Sequence, residues 1–228
     1  MPSATLRKLK NIGKKMKTKK KNKLYKEKFK ILNLSKKIII LNGWNQESFF
    51  LIGNHKNINK NKLNILFPNG YIDLLYFALD CLNDSLLKNS LKLKLLHKPL
   101  HKKVREILLL KIKIMEIEKK FYKKCFFFML NPVNKVRVLS QLYKSVDLIW
   151  YISGDNSTDF NYYSKRIILA GIYFRTLIHF FNNNNIAETE MILDKSLSKV
   201  KKIPILKDKL LFFKNYFPKL LRGFSTKI

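Results

Sequence analysis

The chain has 228 residues, of which 46% are hydrophobic, so it is long enough for one sizeable core. Its 47 lysines and arginines outnumber 15 acidic residues, and the net charge of +32 predicts an anionic partner, either nucleic acid or acidic lipid headgroups. A solvated lysine surface is the alternative explanation for part of this charge. The glycines form no phosphate-binding loop pattern, and Cys81 and Cys125 are predicted to be reduced core residues.

The first 28 residues form a strongly basic segment. Residues 1–30 hold 13 lysines or arginines and a single acid, Glu27, and they contain no apolar stretch suited to a secretory signal. We interpret residues 1–28 as either a disordered basic arm or a mitochondrial targeting segment. The pattern favours neither, because targeting segments are usually richer in arginine and serine.

Residues 29–90 predict three short helices followed by the start of a long one. The short helices are predicted over residues 29–41, 45–53 and 59–67. The long helix follows the turn Pro68-Asn69-Gly70. This order resembles the start of a TetR-type regulator, in which the third helix reads the major groove of DNA. Lys56, Lys60 and Lys62 are placed to reach phosphate, so a DNA-binding regulator with an apolar effector pocket is the alternative function.

Residues 91–203 predict five further helices, which makes the chain an all-α bundle of about nine helices. Their predicted ranges are 104–119, 121–130, 133–150, 159–181 and 187–202. In the first of the five, the residues predicted to face inward are Ile107, Leu110, Ile114 and Ile117. Before it lie His97 and His101, but Pro99 between them argues against a helical metal pair. We expect no metal, no cofactor and no catalytic residue, so a binding protein is predicted rather than an enzyme.

The stretch from Val146 to Phe181 carries the most particular pattern. Gly154 is predicted to end one helix, and the polar cluster Asp155 to Asp159 to cap the next. Along this second helix apolar residues recur every three or four positions and predict a continuous apolar stripe. The stripe comprises Tyr163, Ile167, Ala170, Phe174, Leu177 and Phe181. Arg166 precedes the small pair Ala170-Gly171, where a missing side chain leaves room for a ligand.

The order of residues in this stretch resembles the signature of the ubiquinone biosynthesis accessory proteins, the Coq nine (COQ9) family. The matching residues are Trp150, Gly154-Asp155, Ser157 to Asn161, Tyr163, Lys165-Arg166, Leu169 to Gly171 and Tyr173. The resemblance covers about residues 29–203 and is strongest over 146–181. It implies a TetR-like fold for the helices, a lipid-binding domain over residues 91–203 and a mitochondrial location at the matrix side of the inner membrane, or at the cytoplasmic face of a bacterial inner membrane.

The resemblance also implies a pocket between helices for a phospholipid or an isoprenoid quinone intermediate. An arginine at the position of Arg166 meets the phospholipid headgroup in the family, and a guanidinium is suited to bidentate phosphate binding. The implied lipid-binding residues are Tyr163, Arg166, Ile167, Ala170, Gly171 and Phe174. From the residues alone, an ion pair between Arg166 and a surface acid is an equal alternative.

The family presents a surface patch to a di-iron hydroxylase that modifies the demethoxyubiquinone ring. Positions matching that patch are Asp147, Ile149, Tyr162 and Tyr163. Two departures are visible, because Tyr162 replaces a tryptophan of some members and Leu148 stands where some have an acid. A homodimer is predicted by analogy with TetR-type folds.

Residues 204–228 predict an amphipathic tail that lies on an anionic membrane surface, because apolar residues alternate with cations at helical spacing. The membrane-facing residues are predicted to be Leu206, Leu210, Phe213, Phe217 and Leu221. A terminal helix packed on the core is the alternative. The function predicted from the whole sequence is a lipid-binding accessory protein that presents quinone precursors to the hydroxylase. A basic protein associated with RNA or the ribosome is a third hypothesis, supported by charge alone.

Overall fold

The computed structural model describes the backbone of residues 4–131, 135–157 and 159–201, and the side chains of residues 23–131, 139–157 and 162–199. Within these residues the regular structure is helical without any strand, which confirms the all-α prediction. The helices are α1 (Ala4–Asn42), α2 (Gln46–Gly53), α3 (Lys60–Leu66), α4 (Tyr71–Ser90), α5 (Leu100–Glu116), α6 (Lys119–Met129), α7 (Lys135–Ser153), α8 (Asp159–Asn182) and α9 (Ile186–Lys201).

The described residues fall into two compact units. The first unit comprises the chain up to Cys81 together with Lys120–Asn131, so it contains α1 to α3, the first half of α4 and almost all of α6. The second unit comprises Leu82–Lys119 and the chain after residue 131, so it contains the rest of α4 with α5, α7, α8 and α9.

Local signals explain where the helices of the first unit begin and end. Gly43, at φ 82°, follows α1, and Gly70, at φ 63°, precedes α4, in a conformation that favours glycine. The side chains of Asn45 and Asn59 cap α2 and α3 by accepting backbone N–H bonds of 2.7 and 3.1 Å. The predicted starts of α2, α3 and α4 therefore agree with the structure to within one residue.

The start of α1 differs from the prediction. The helix begins at Ala4 rather than at Phe29, so the structure is helical where a disordered basic arm is one of the two sequence interpretations. Lysine and leucine are good helix formers, and the segment contains no proline after residue 2 to interrupt them. The targeting interpretation stays a prediction.

Buried apolar side chains form the core of the first unit. Both chain segments of this unit contribute to the core, because Trp44 of the first segment contacts Phe121 of the second with ring centroids 5.9 Å apart. Cys81 and Cys125 are buried and form no disulfide bond, as predicted. The largest fully buried residues of this unit are Phe67, Phe121, Ile39, Ile52, Leu63, Leu74 and Leu75.

In the second unit, α8 contacts α7 and α9, and α5 contacts the same two helices. Its core includes Ile107, Ile149, Leu169, Phe180 and Leu193, all at most 2% exposed. The face of α5 is rotated from the predicted one. Ile107 is buried as predicted, but Ile117 is 84% exposed and the buried residues continue at Leu108, Lys111, Ile112 and Met115. Contacts with α7 and α9 decide this rotation, which the apolar spacing alone leaves open.

The predicted amphipathic tail, residues 204–228 with Leu206, Leu210, Phe213, Phe217 and Leu221, lies outside the described residues and stays a prediction. Among the described helices, none is by itself long and apolar enough to be a membrane span. The bent pair formed by α3 and α4 reaches that length and composition only when the two helices are taken together.

Candidate functional site

The junction between α7 and α8 is a tightly bonded turn. Gly154 has φ 75°, its N–H donates to the Tyr151 carbonyl at 3.0 Å, and the Asp155 N–H donates to the Trp150 carbonyl at 3.1 Å. This pair of bonds is the Schellman arrangement, which satisfies the last carbonyls of a helix and needs a left-handed residue at the glycine. The predicted helix end at Gly154 is confirmed.

Asp155 is an inward-facing carboxylate in this turn, with a side chain only 2% exposed. Lys165 on α8 donates to its Oδ1 at 2.7 Å, and the Ser157 hydroxyl donates to its Oδ2. Burial raises the pKa of the Asp155 carboxyl, but the bonds from Lys165 and Ser157 outweigh it, so the pKa is lowered below its usual value. Asp155 therefore ties the turn to the first half of α8 as a carboxylate.

Arg166 is bound within the protein by α7. Its side chain is 7% exposed, and both Nε and Nη2 lie 2.7 Å from Oδ1 of Asp147. The guanidinium also donates to the Tyr162 carbonyl at 3.1 Å, and its carbon lies 3.3 Å from the centroid of the Tyr162 ring. The ion pair with an acid, one of the two sequence interpretations of Arg166, is therefore present, and the headgroup contact stays a prediction.

Tyr162 links these charged groups to an outer aromatic residue. Its hydroxyl lies 3.1 Å from Oδ1 of Asp147 and 3.0 Å from the hydroxyl of Tyr143. The hydrogen bond with Tyr143 raises the pKa of Tyr162 to about 12, with burial and the Asp147 charge acting in the same direction. The phenol is therefore neutral over the physiological range, and a side chain predicted to contact a partner also helps to hold α7 against α8.

An apolar cavity of about 290 Å³ lies in the second unit, on a neighbouring face of α8. Its apolar wall includes Ile168, Leu169 and Ile172 from α8, with Trp150 from α7. The remaining lining residues are His101, Val104 and Arg105 from α5, Lys165 from α8, and Asp194, Leu197 and Ser198 from α9. Four helices therefore enclose a space of the kind that holds small apolar ligands in helical proteins.

Charged groups lie among the apolar lining of this cavity. Arg105 binds Asp194 through two nitrogens at 2.5 and 2.8 Å and reaches Glu190 at 2.6 Å, which joins α5 to α9. These hydrogen bonds raise the pKa of Arg105 above its usual value, so it stays charged. The indole N–H of Trp150 is buried and has no hydrogen-bond partner among the described residues. A ligand carbonyl or hydroxyl that reached this N–H would satisfy it.

The residues predicted to bind lipid do not line this cavity. Tyr163 and Ile167 are 45% and 41% exposed, and Gly171 is exposed with open space around its Cβ position. Ala170 and Phe174 are half-buried, and Arg166 faces Asp147. The predicted apolar stripe of α8 is therefore divided, because only its last members, Leu177 and Phe181, are buried. The cavity side of α8 is the set Lys165, Ile168, Leu169 and Ile172.

The residues predicted to contact a partner likewise include both exposed and buried side chains. Tyr163 is exposed, and the Asp147 side chain is 41% exposed. Ile149 is fully buried, so its side chain is part of the core and the prediction that it lies on a surface patch is wrong. The sequence prediction did not identify the other surface positions of α7. They lie at intervals of four residues from Asp147, so they share its face of the helix. They are Leu139, Tyr143 and Tyr151, which are 61%, 45% and 74% exposed.

The helix that would read DNA in a TetR-type regulator is α3. Its Lys62 binds Glu27 of α1 at 2.8 Å, and Lys60 lies over the ring of Phe50, 4.9 Å from the centroid. Its exposed residues include Ile65, which is 77% exposed. Two of the three lysines proposed for phosphate contact therefore have partners within the protein, and the outward face is partly apolar.

Metal-binding side chains and a buried lysine are the remaining features with a bearing on chemistry. Among the described residues no cluster of three or more histidine, cysteine or acidic side chains is placed to hold a metal ion. Lys111 is completely buried, and its ammonium donates to Asn83 Oδ1 at 2.8 Å and lies 5.2 Å from the Tyr173 ring centroid. Burial lowers the pKa of Lys111 to about 7. The periodicity of α5 gave no signal for this inward lysine.

Known proteins match a part of this chain that includes the α7–α8 junction. The family model for COQ9 matches residues 136–204. "Ubiquinone biosynthesis protein COQ9, mitochondrial" of Rattus norvegicus is 50% identical over 48 residues, which are 21% of this chain and 15% of the rat protein. The Bos taurus protein of the same name is 43% identical over 53 residues, or 23% of this chain and 17% of that protein.

A longer match extends into the other helices. "Probable ubiquinone biosynthesis protein coq9, mitochondrial" of Dictyostelium discoideum is 29% identical over 161 residues, which are 64% of this chain and 50% of that protein. The matches therefore span half or less of the length of these relatives. Among solved structures, a TetR transcriptional regulator from Nitrosomonas europaea covers 78% of this chain and 99% of its own with a TM-score of 0.63. Its identity of 10% shows the fold alone, and the TetR-like fold prediction is confirmed.

Proposed function

We propose that this chain is a member of the COQ9 family and that it is a non-enzymatic, lipid-binding accessory protein of ubiquinone biosynthesis. Its ligand is a membrane phospholipid or an isoprenoid quinone intermediate, and its partner is the di-iron demethoxyubiquinone hydroxylase. The relatives carry the word mitochondrial in their names, which supports a mitochondrial location for this chain. Peripheral binding to the matrix side of the inner membrane and a homodimer belong to the same proposal.

One observation carries the lipid-binding part of the proposal. The family match over residues 136–204 includes the segments of α7, α8 and α9 that line the apolar cavity, and only three lining residues, all on α5, lie outside it. The segment that defines the family is therefore also the segment that forms the cavity. An apolar cavity with a few polar groups is the usual arrangement for a small-molecule site.

The size of the cavity limits what it holds. A volume of about 290 Å³ is at the lower end of ligand pockets, which run from roughly 300 to 1,000 Å³. We expect it to take one portion of a long lipid, such as a ring or a few isoprene units, while the remainder leaves through the opening. Partial exposure of the bound molecule suits a protein that presents it to an enzyme.

The charged lining residues supply contacts for the polar end of such a molecule. Lys165 is 35% exposed and already holds Asp155, and its ammonium lies 5.5 Å from the centroid of the Trp150 ring. We propose that Lys165 and the unpaired indole N–H of Trp150 meet the headgroup or quinone oxygens. Arg166, engaged with Asp147, positions α8 so that Lys165 faces the cavity.

The hydroxylase contact is proposed on the exposed surface of α7 and α8. Tyr143, Tyr151 and Tyr163 are exposed there, next to the half-exposed carboxylate of Asp147. Exposed tyrosines are typical anchors of protein interfaces because they combine apolar area with a polar tip and few rotatable bonds. Buried Ile149 supports this surface from behind rather than touching a partner.

Lipid extraction from the purified full chain tests the cavity. We compare wild type with Ile168→Trp, which fills the cavity, and with Ile178→Trp, a matched change on α8 at a position 39% exposed and outside the lining. Wild type and Ile178→Trp are expected to retain phospholipid or isoprenoid, and Ile168→Trp to retain at least about fivefold less, since overpacking excludes a ligand.

Two outcomes contradict the proposal. If both tryptophan variants keep the wild-type amount of lipid, the ligand does not occupy this cavity. If wild type purifies without lipid and retains duplex DNA through a high-salt wash, the regulator alternative takes its place.

A further inference from the structure

The first unit carries a basic surface that the lipid cavity does not involve. A cleft of about 390 Å³ lies between α1 and α6, and its lining residues are Ile40, Lys120, Lys123, Lys124 and Phe127. We call this surface the α1–α6 cleft. The lysines stand at positions i, i+3 and i+4 of α6 and Phe127 at i+7, so they share one face of that helix.

The face of α6 opposite the cleft packs into the core, and this leaves the face that carries the lysines exposed. Phe121, Tyr122, Cys125 and Phe126 are buried in the core of the first unit. The three lysines of the cleft are exposed, and none of them forms a salt bridge within the described residues. The core therefore fixes the orientation of α6 and leaves its lysines directed to solvent.

Both helices of the cleft lack acidic residues near it. The segments 29–42 and 120–131 contain six lysines and no aspartate or glutamate. Exposed apolar side chains accompany this charge, since Leu41 is 78%, Phe127 42% and Leu130 38% exposed. Cations beside exposed leucine and aromatic residues are the composition of surfaces that lie in a membrane interface.

From this combination we propose that the α1–α6 cleft binds the surface of an anionic phospholipid bilayer. The lysines attract the phosphate-bearing headgroups, and Phe127, Leu130 and Leu41 enter the boundary between headgroups and acyl chains. A nucleic acid fits the same charge less well. The cleft lining has no arginine for bidentate phosphate contacts, and it offers one aromatic ring, Phe127, rather than a series of rings on which successive bases could stack.

This site is separate from the predicted tail and from the lipid cavity. The tail begins after Lys201, whereas the α1–α6 cleft consists of residues of α1 and α6. The proposal therefore holds or fails independently of lipid retention in the cavity.

Vesicle partition of the full chain tests the proposal. The probe is large vesicles of two parts phosphatidylcholine to one part phosphatidylglycerol, with pure phosphatidylcholine as the neutral reference. We compare wild type with Lys120→Gln/Lys123→Gln/Lys124→Gln. Its control, Lys92→Gln/Lys94→Gln/Lys102→Gln, removes the same charge from exposed lysines of the second unit.

Each lysine close to an anionic bilayer strengthens partition by about fivefold at low salt, so the cleft variant is expected to lose on the order of 100-fold. The control variant is expected to lose less than about threefold, because its lysines act only through the screened field of the whole protein. Phe127→Ala is expected to weaken partition by about fivefold, since the half-exposed ring gives up apolar burial. Ile117→Ala, at a position 84% exposed in the second unit, is its unchanged control.

Three results overturn the proposal. Equal losses in the two lysine variants mean that net charge alone drives binding. Full retention by the cleft variant means that another segment, such as the tail, makes the membrane contact. A loss confined to binding of single-stranded RNA or duplex DNA, with vesicle partition unchanged, assigns the cleft to nucleic acid instead.

Discussion

The α7–α8 junction and the α1–α6 cleft use positive charge in opposite ways. At the junction, Arg166 and Lys165 each have a carboxylate oxygen at 2.7 Å. On α6, the three lysines of the cleft are exposed and form no salt bridge within the described residues. Burial accounts for the difference, because a buried cation without a partner is costly whereas an exposed one is solvated. The net charge of +32 therefore combines a few cations that hold helices together with many that remain available to anionic partners.

Lys111 differs from both groups of cations. It is buried, and its ammonium donates a hydrogen bond to the neutral side chain of Asn83 rather than to a carboxylate. The rule that buried cations are paired has an exception here. The lowered pKa of Lys111 is the consequence expected from burial without a carboxylate.

The largest effect is expected for Asp147→Ala, which leaves the guanidinium of Arg166 without its closest carboxylate. We expect a loss of about 2 to 3 kcal/mol in the free energy of unfolding, less than for a fully buried pair because the Asp147 side chain is 41% exposed. Urea unfolding at neutral pH measures it. The double variant Asp147→Leu/Arg166→Met removes both charges and is expected to recover most of the loss. If the double variant is as unstable as the single one, the ion pair is not the cause.

Replacing Lys111 by methionine is expected to stabilise the second unit by about 1 to 2 kcal/mol at pH 7, because an apolar side chain of similar length avoids desolvating an amine. Lys113→Met, an exposed neighbour on α5, is the control and is expected to change little. Urea unfolding of both variants measures the difference. A destabilised Lys111→Met protein would indicate that the bond to Asn83 outweighs the desolvation of Lys111.

The same lysine predicts a pH dependence with a definite sign. Its pKa is about 7 in the folded protein against 10.5 for the free side chain, so between these values the unfolded state binds a proton that the folded state does not. The free energy of unfolding contributed by Lys111 therefore rises from pH 7 towards pH 10.5 and is constant below pH 7. Unfolding midpoints of wild type minus Lys111→Met across this range isolate the effect. A flat difference curve would contradict the lowered pKa.

A smaller effect is expected at the α7–α8 turn, which precedes the helix that carries the paired cations. Gly154→Ala puts a Cβ at φ 75° and is expected to cost about 1 to 2 kcal/mol. Gly171→Ala, in the interior of α8 with nothing within 4 Å of the added carbon, is expected to stabilise by about 0.5 to 1 kcal/mol. Thermal unfolding of the two variants gives opposite shifts. Shifts of the same sign would mean that the turn does not need a left-handed residue at position 154.

The smallest effect is expected for the lysines of the α1–α6 cleft. Substituting Lys120, Lys123 and Lys124 by glutamine is expected to change the free energy of unfolding by less than about 0.5 kcal/mol per residue, since exposed side chains that form no salt bridge contribute little. Circular dichroism and urea unfolding check this. A large loss of stability would remove the contrast between the two regions, and it would also mean that the vesicle experiment reports misfolding.

Helix ends were the features most accessible from sequence. Gly43, Gly70 and Gly154 take left-handed conformations at the predicted boundaries, and Asn45 and Asn59 cap α2 and α3 at their predicted starts. These signals are local, because a cap bonds backbone within the same turn. The family resemblance was likewise carried by a contiguous stretch, and the α7–α8 junction within it is confirmed as a bonded turn.

The assignment of side chains to faces was less accessible. Ile149 was predicted on the surface and is buried, while Tyr143 and Leu139 of the same helix, which were not predicted on the surface, are exposed. The partner of Arg166 could be given from sequence only as one of two alternatives. Where most residues of a helix are apolar, several faces satisfy the same spacing, so periodicity does not select one.

By itself, the sequence determined that this chain is helical, where most of its helices begin and end, that its two cysteines are buried and which known family its α7–α8 stretch resembles. The tertiary structure alone decided which face of each helix is inward, and with it the positions of Lys111, the cavity side of α8 and the exposed lysines of α6. The physical reason is the distance along the chain over which each kind of interaction acts. Caps, turns and propensities act within a few residues, whereas the rotation of a helix is set by the neighbours against which it packs.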